Sequence, residues 1–281
     1  MTLRSIMMWR YRDFLFLILF LFIIQFVFMS EKEGLQSQQE IGFFIPRCVR
    51  KPEHNILYKE CYEAVRRYHP DVKIIFIDDN SDKEVLVEHE MTNVEIIQSE
   101  YRAGGEYLCY WYMLERKPFK KAIFIQDSMI LNGPIPYERV DDYMFLYEFP
   151  SVNLSSTALH SLLDATKNPE EIKSYCMQGV WKGCWGSMMI VTGEFINRLE
   201  DTFGISNWVT IIHSREYRMA LESAIGVLCS FLQPKDTVSI FGQSSDMNVM
   251  KYPGNEKHTL DMYLADKTRI KDSIIKVWNG R

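Results

Sequence analysis

A chain of 281 residues, 47% hydrophobic and 14% aromatic, can bury one sizeable core and fits a single domain of α/β size. A formal net charge of -5, with no dense basic block, gives no reason to expect a nucleic-acid partner. No low-complexity tract and no repeat of solenoid or propeller period is present, which excludes repeat architectures.

Residues 1–13 read as a cytoplasmic tail and Phe14–Met29, apolar throughout except for Gln25, as a transmembrane signal-anchor. As a helix the run reaches about 24 Å, short of a ~30 Å hydrocarbon core, so flanking residues or a thinner membrane must make up the difference. Trp9 and Tyr11 stand where an interfacial aromatic belt would lie, and Arg4, Arg10 and Arg12 precede the run. Positive-inside logic then leaves the tail in the cytoplasm and carries the rest of the chain across. This predicts a single-pass type II protein of the Golgi or another secretory membrane, with a lumenal domain. A cleaved signal peptide is the competing reading, but "FVFMSEKEG" offers no small-x-small cleavage site. The sequon Asn153–Ser155 adds weak support for a lumenal location.

Residues 30–40 form a polar stem, and 41–281 the globular domain. "IGFFIP" predicts a first buried strand ending at Pro46, and Asn55–Tyr68 a helix with Leu57, Cys61, Ala64, Val65 and Tyr68 on one face. A strand over Val72–Ile77 runs into Asp78 and Asp79, and Asp82 is expected to cap a short helix through Glu90. "NVEIIQ" is a third strand, "AGGEYLCYWYMLERKPF" a loop entering a helix, and "AIFI" a fourth strand leading to Asp127. Beyond it come a strand in "YMFLYEF", a helix over Ser155–Ala165, a Gly/Trp loop, a strand over Ser187–Val191 followed by a helix, and a long helix over Glu216–Leu232. Strands alternating with helices, and strands apolar on both sides, predict an α/β, Rossmann-like, mostly parallel sheet with helices on both faces. The six cysteines show neither CxxC pairs nor zinc spacing and read mostly as small buried hydrophobes, with a disulfide left open.

Ligands of open parallel sheets bind beyond the carboxyl ends of the strands. Three predicted strands end there in distinctive chemistry: Pro46 with Arg47, Asp78 with Asp79, and Asp127. A single acid after a strand is usually a turn or cap residue; two such ends in one sheet make a better case for a site.

"FFIP" before a helix, then "IIFIDDNSD", then "AIFIQDSM" about fifty residues later, resembles the GT-A glycosyltransferases, most like the family 2 type. The resemblance covers Ile41 to about Asn132 and extends more loosely to Leu232. It implies a nucleotide-sugar donor and a glycan, lipid or protein acceptor. Asp79, with Asp78 beside it, falls where the family contacts base or ribose, and Arg102 where a fixed cation would assist. Asp127 falls at the DxD motif, whose acids hold Mg²⁺ or Mn²⁺ on the donor diphosphate. Here the motif is Asp127-Ser128-Met129, so one carboxylate plus the diphosphate holds the metal, or metal binding is weak or lost. His258 is a further candidate ligand, against the plainer reading of a solvated loop histidine. For the general base Glu222 is the choice, weighed against an Arg218–Glu222 surface ion pair four residues apart. Glu194, after "VTG", is a weaker candidate and would also suit the positive end of its helix. Trp181 and Trp185 in "VWKGCWGS" are sugar-stacking candidates or core residues. A non-catalytic binding protein and, below it, a nucleotidyltransferase are the rival readings.

Overall fold

The computed structural model describes residues 38–151, 156–243, 260–267 and 273–277. The expected anchor Phe14–Met29, the sequon at Asn153 and His258 lie outside them. Among the described residues, no helix is long and apolar enough to cross a membrane.

The first half follows the predicted alternation: β1 (Gln39–Arg47), α1 (Pro52–Tyr68), β2 (Lys73–Asp78), β3 (Val94–Gln98), α2 (Tyr107–Arg116) and β4 (Phe119–Phe124). Strand β1 is central and runs parallel to both β2 and β4, and β3 runs parallel to β2. Two later strands, β6 (Tyr143–Phe145) and β9 (Met189–Thr192), complete a six-stranded sheet in the order β3-β2-β1-β4-β9-β6. Strand β9 is antiparallel to β4, and β6 is antiparallel to β9. The fold is therefore α/β, with a mostly parallel sheet.

Continuous apolar strands arise because both faces are covered. Phe43 and Ile45 join one core cluster with Leu57, Cys61 and Val65 of α1, while Phe44 between them joins the other with Leu108 and Tyr110 of α2. Ile74 and Phe76 divide from Ile75 and Ile77 in the same way. Each such fully buried side chain contributes roughly 1.5–3 kcal/mol by its removal from water. Pro52 opens α1, where its missing N–H removes no helical bond.

Two expectations are corrected. The stretch "YMFLYEF" is not one strand. Leu146 N bonds Met188 O at 2.9 Å and Tyr147 O accepts from Trp185 N at 3.1 Å, so the chain leaves the main sheet after β6. It then forms β7 (Glu148–Pro150), antiparallel to β8 (Lys182–Cys184). Asp82 caps a single turn and no helix: its Oδ1 accepts from Glu84 N at 3.0 Å, its carbonyl accepts from Val85 N and Leu86 N, and the chain runs on to Glu90 without forming a helix. Five of the six cysteines are buried, as small hydrophobes would be, and no disulfide links them among the described residues.

Helices α3 (Thr157–Asp164), α4 (Pro169–Met177), α5 (Gly193–Phe203) and α6 (Arg215–Leu232) pack in the second half. Ser156, Thr192 and Ser214 cap α3, α5 and α6, each accepting from the amide three residues on. Helix α6 lies close against β8: a Cβ at Gly226 would stand 2.3 Å from the Lys182 carbonyl oxygen. Two short strands go beyond the predicted elements. Strand β5 (Met129–Leu131) follows the acid of β4, and the late strand β10 (Ile274–Lys276), preceded by the short helix α7 (Leu260–Ala265), pairs antiparallel with it.

Candidate active site

The carboxyl ends of β1, β2 and β4 open on a cavity of about 500 Å³. Pro46, Asp79 and Asp127 line it from the sheet, Trp185 from the Gly/Trp loop and Glu222 from α6. Five residues singled out in the sequence therefore meet in one place.

The other four do not join them. Asp78 turns away: its Oδ2 accepts from Arg47 Nε at 2.8 Å and its Oδ1 from Ser81 N at 2.7 Å. Arg47 is fully buried and also bonds Glu88 through both terminal nitrogens, holding the Glu88 carboxyl below its usual range. Asp78 thus anchors a buried ion pair under the strand ends. Arg102 is exposed and outside the cavity lining. Trp181 is a core residue whose Nε1 donates to Cys176 O at 2.8 Å. Glu194 is exposed in the first turn of α5, as the helix-end reading expects.

Asp79 faces the cavity with both carboxylate oxygens engaged by the following loop. Oδ1 accepts from Ala103 N at 2.7 Å and Oδ2 from Gly105 N at 2.9 Å. Burial pushes its carboxyl up, against the opposite pull of those two amides and of Arg218. Ala103 and Gly105 both have positive φ, 59° and 51°, so the loop holds a left-handed path that the carboxylate stabilises.

Glu222 forms no ion pair with Arg218 among the described residues. Its carboxyl is pushed up to about 8, chiefly by burial and then by the nearby Glu106 carboxylate. The Gly186 amide and the Lys276 ammonium pull the other way. Gly186 has φ 62°, a conformation that suits glycine, and its amide bonds the Glu222 carboxyl. Arg218 instead packs over Gly105, and its Nε is buried without a hydrogen-bond partner.

A polar chain that the sequence did not suggest crosses the cavity floor. Gln126 Nε2 donates to Glu106 Oε1 at 2.7 Å, while Gln126 Oε1 accepts from Lys276 Nζ. Lys276 Nζ also donates to Ser128 Oγ at 2.5 Å. Lys276 lies 150 residues from Gln126 in the chain, so only the pairing of β10 with β5 brings it here. Gln126 directly precedes Asp127, and a polar side chain beside a strand-end acid was the available signal; Glu106 stands four positions after Arg102, just ahead of α2, and carried none.

At the expected DxD position these residues offer a single carboxylate. Asp127 supplies a carboxylate, but the Ser128 hydroxyl takes an ammonium and Met129 is buried in the core. Among the described residues, no three His, Cys, Asp or Glu side chains converge as metal ligands.

No protein-family model matches the chain, and no curated protein matches it. The functional reading rests on the cavity.

Proposed function

We propose that the chain is a glycosyltransferase with a GT-A-like domain, moving a sugar from a nucleotide-sugar donor to a hydroxyl acceptor with inversion. One observation carries the reading: three strand-end groups, Pro46, Asp79 and Asp127, share a cavity with the half-buried carboxyl of Glu222. Pro46 and the loop fixed by Asp79 offer a surface for the nucleotide, and Trp185 an aromatic face for a sugar ring. The acceptor oxygen attacks the anomeric carbon and forms the new C–O bond. The bond from that carbon to the diphosphate oxygen breaks, and the nucleoside diphosphate leaves with the electron pair. Glu222 takes the acceptor proton. In this reading Phe14–Met29 holds the enzyme to a secretory membrane with the domain in the lumen.

A second reading, a non-catalytic nucleotide- or carbohydrate-binding protein, is favoured by the single acid in Asp127-Ser128-Met129. A panel of nucleotide sugars assayed for hydrolysis and transfer separates the two. The transferase reading expects turnover of one donor, reduced at least a hundredfold in Asp127→Asn with unchanged thermal melting. Donor binding without any turnover supports the second reading, and a fully active Asp127→Asn removes Asp127 from the site.

A further inference from the structure

The position where a second acid would complete a cation site is Met129, and its side chain is buried in the core. The antiparallel register of β10 with β5 sets Lys276 directly opposite Met129. Val277 N donates to Ser128 O at 2.9 Å and fixes that register at the cavity edge. Lys276 is 8% exposed, lines the same cavity as Asp127, and reaches the Ser128 hydroxyl and the Gln126 amide oxygen. A buried ammonium is costly to desolvate and repels a divalent cation brought beside it, whereas an incoming anion offsets that cost. Arg218 adds a second cation from α6, with its buried Nε unpartnered.

We infer that Lys276, with Arg218, holds the donor's diphosphate in place of a divalent metal. The inference rests on the proposed transferase reading for its ligand class, a diphosphate ester. Lysine supplies a compact charge with three donors, suited to phosphate oxygens, and arginine a planar fork. Both remain in the cavity when the nucleoside diphosphate departs, so the charge that develops on the leaving group meets fixed cations. The β10 register thereby replaces an exchangeable cofactor with a side chain of the same chain.

The test is calorimetric titration of the full chain in detergent with inorganic pyrophosphate, UDP and GDP, first in EDTA and then with Mn²⁺. At least one probe is expected to bind in EDTA with an affinity that Mn²⁺ changes by less than twofold. Lys276→Met is expected to weaken that binding at least tenfold, and Lys276→Arg to retain most of it. Binding that disappears in EDTA and returns with Mn²⁺ overturns the inference, as does a wild-type chain that binds none of the probes. So does a Lys276→Met protein that binds within twofold of wild type. The EDTA comparison uses the wild-type chain alone and stands even where a variant fails to fold. Donor turnover measured in parallel keeps the two proposals apart. Metal-independent diphosphate binding without transfer sinks the transferase reading and sustains this one; Mn²⁺-dependent transfer does the reverse.

Discussion

Replacing Glu222 with glutamine exchanges an ionisable carboxyl for a neutral amide of nearly the same shape. The folded protein holds this carboxyl at about 8, against the ordinary 4.5 of a glutamate. Between those two values the folded state keeps a proton that the unfolded chain has released. Wild-type stability therefore falls as pH rises through this window and levels off above about 8. The full difference corresponds to roughly 5 kcal/mol, an upper bound because the cavity leaves Glu222 partly exposed. A range of about 2–4 kcal/mol is the working expectation. Chemical denaturation of both proteins at pH 5 and pH 9 reads it directly, since every other titrating group is common to the pair. Glu222→Gln should be close to wild type at pH 5 and more stable by about 2–4 kcal/mol at pH 9. A stability difference that does not change with pH refutes the desolvated, Glu106-facing environment assigned to Glu222.

Adjacent acids should behave differently. Asp78→Asn removes one partner of the buried Arg47 pair and should lower stability by about 3 kcal/mol in denaturant unfolding. Asp79→Asn presents an NH₂ to one of the two loop amides; it should lower donor affinity, read by calorimetry, with a smaller loss of about 1–3 kcal/mol in stability. Gly226→Ala forces α6 away from the Lys182 carbonyl one turn from Glu222, and should cost about 3 kcal/mol in stability while lowering turnover of any donor found.

Much of the first half was legible because its signals are local. The apolar runs through Phe43–Phe44 and Ile74–Ile77 predict strands covered on both faces, and their ends at Pro46, Asp79 and Asp127 predict a shared edge. Glu222 reads as a base from its place on a helix in the second half, and the competing ion pair with Arg218 is not formed. Asp78 and Asp79 could not be told apart by position alone. Alternation along the strand sends one to Arg47 beneath the edge and the other to the loop above it. The split of "YMFLYEF" into β6 and β7 depends on partners more than thirty residues later, at 182–184 and 189–191. Lys276 was the hardest to see. Its role comes from a three-residue strand register near the end of the chain, and a single lysine in "SIIKVW" carries no pattern that points to Met129.

The central claim is that the strand-end cavity transfers sugar with Glu222 as base. The measurement that bears on it most directly is single-turnover transfer from the donor the panel identifies, with donor affinity measured alongside, in wild type and Glu222→Gln. The account predicts a rate lowered by about 10²–10⁴ with donor affinity within a few-fold of wild type. It also predicts a wild-type kcat/KM that rises with pH towards about 8. A Glu222→Gln protein that transfers sugar at the wild-type rate contradicts it.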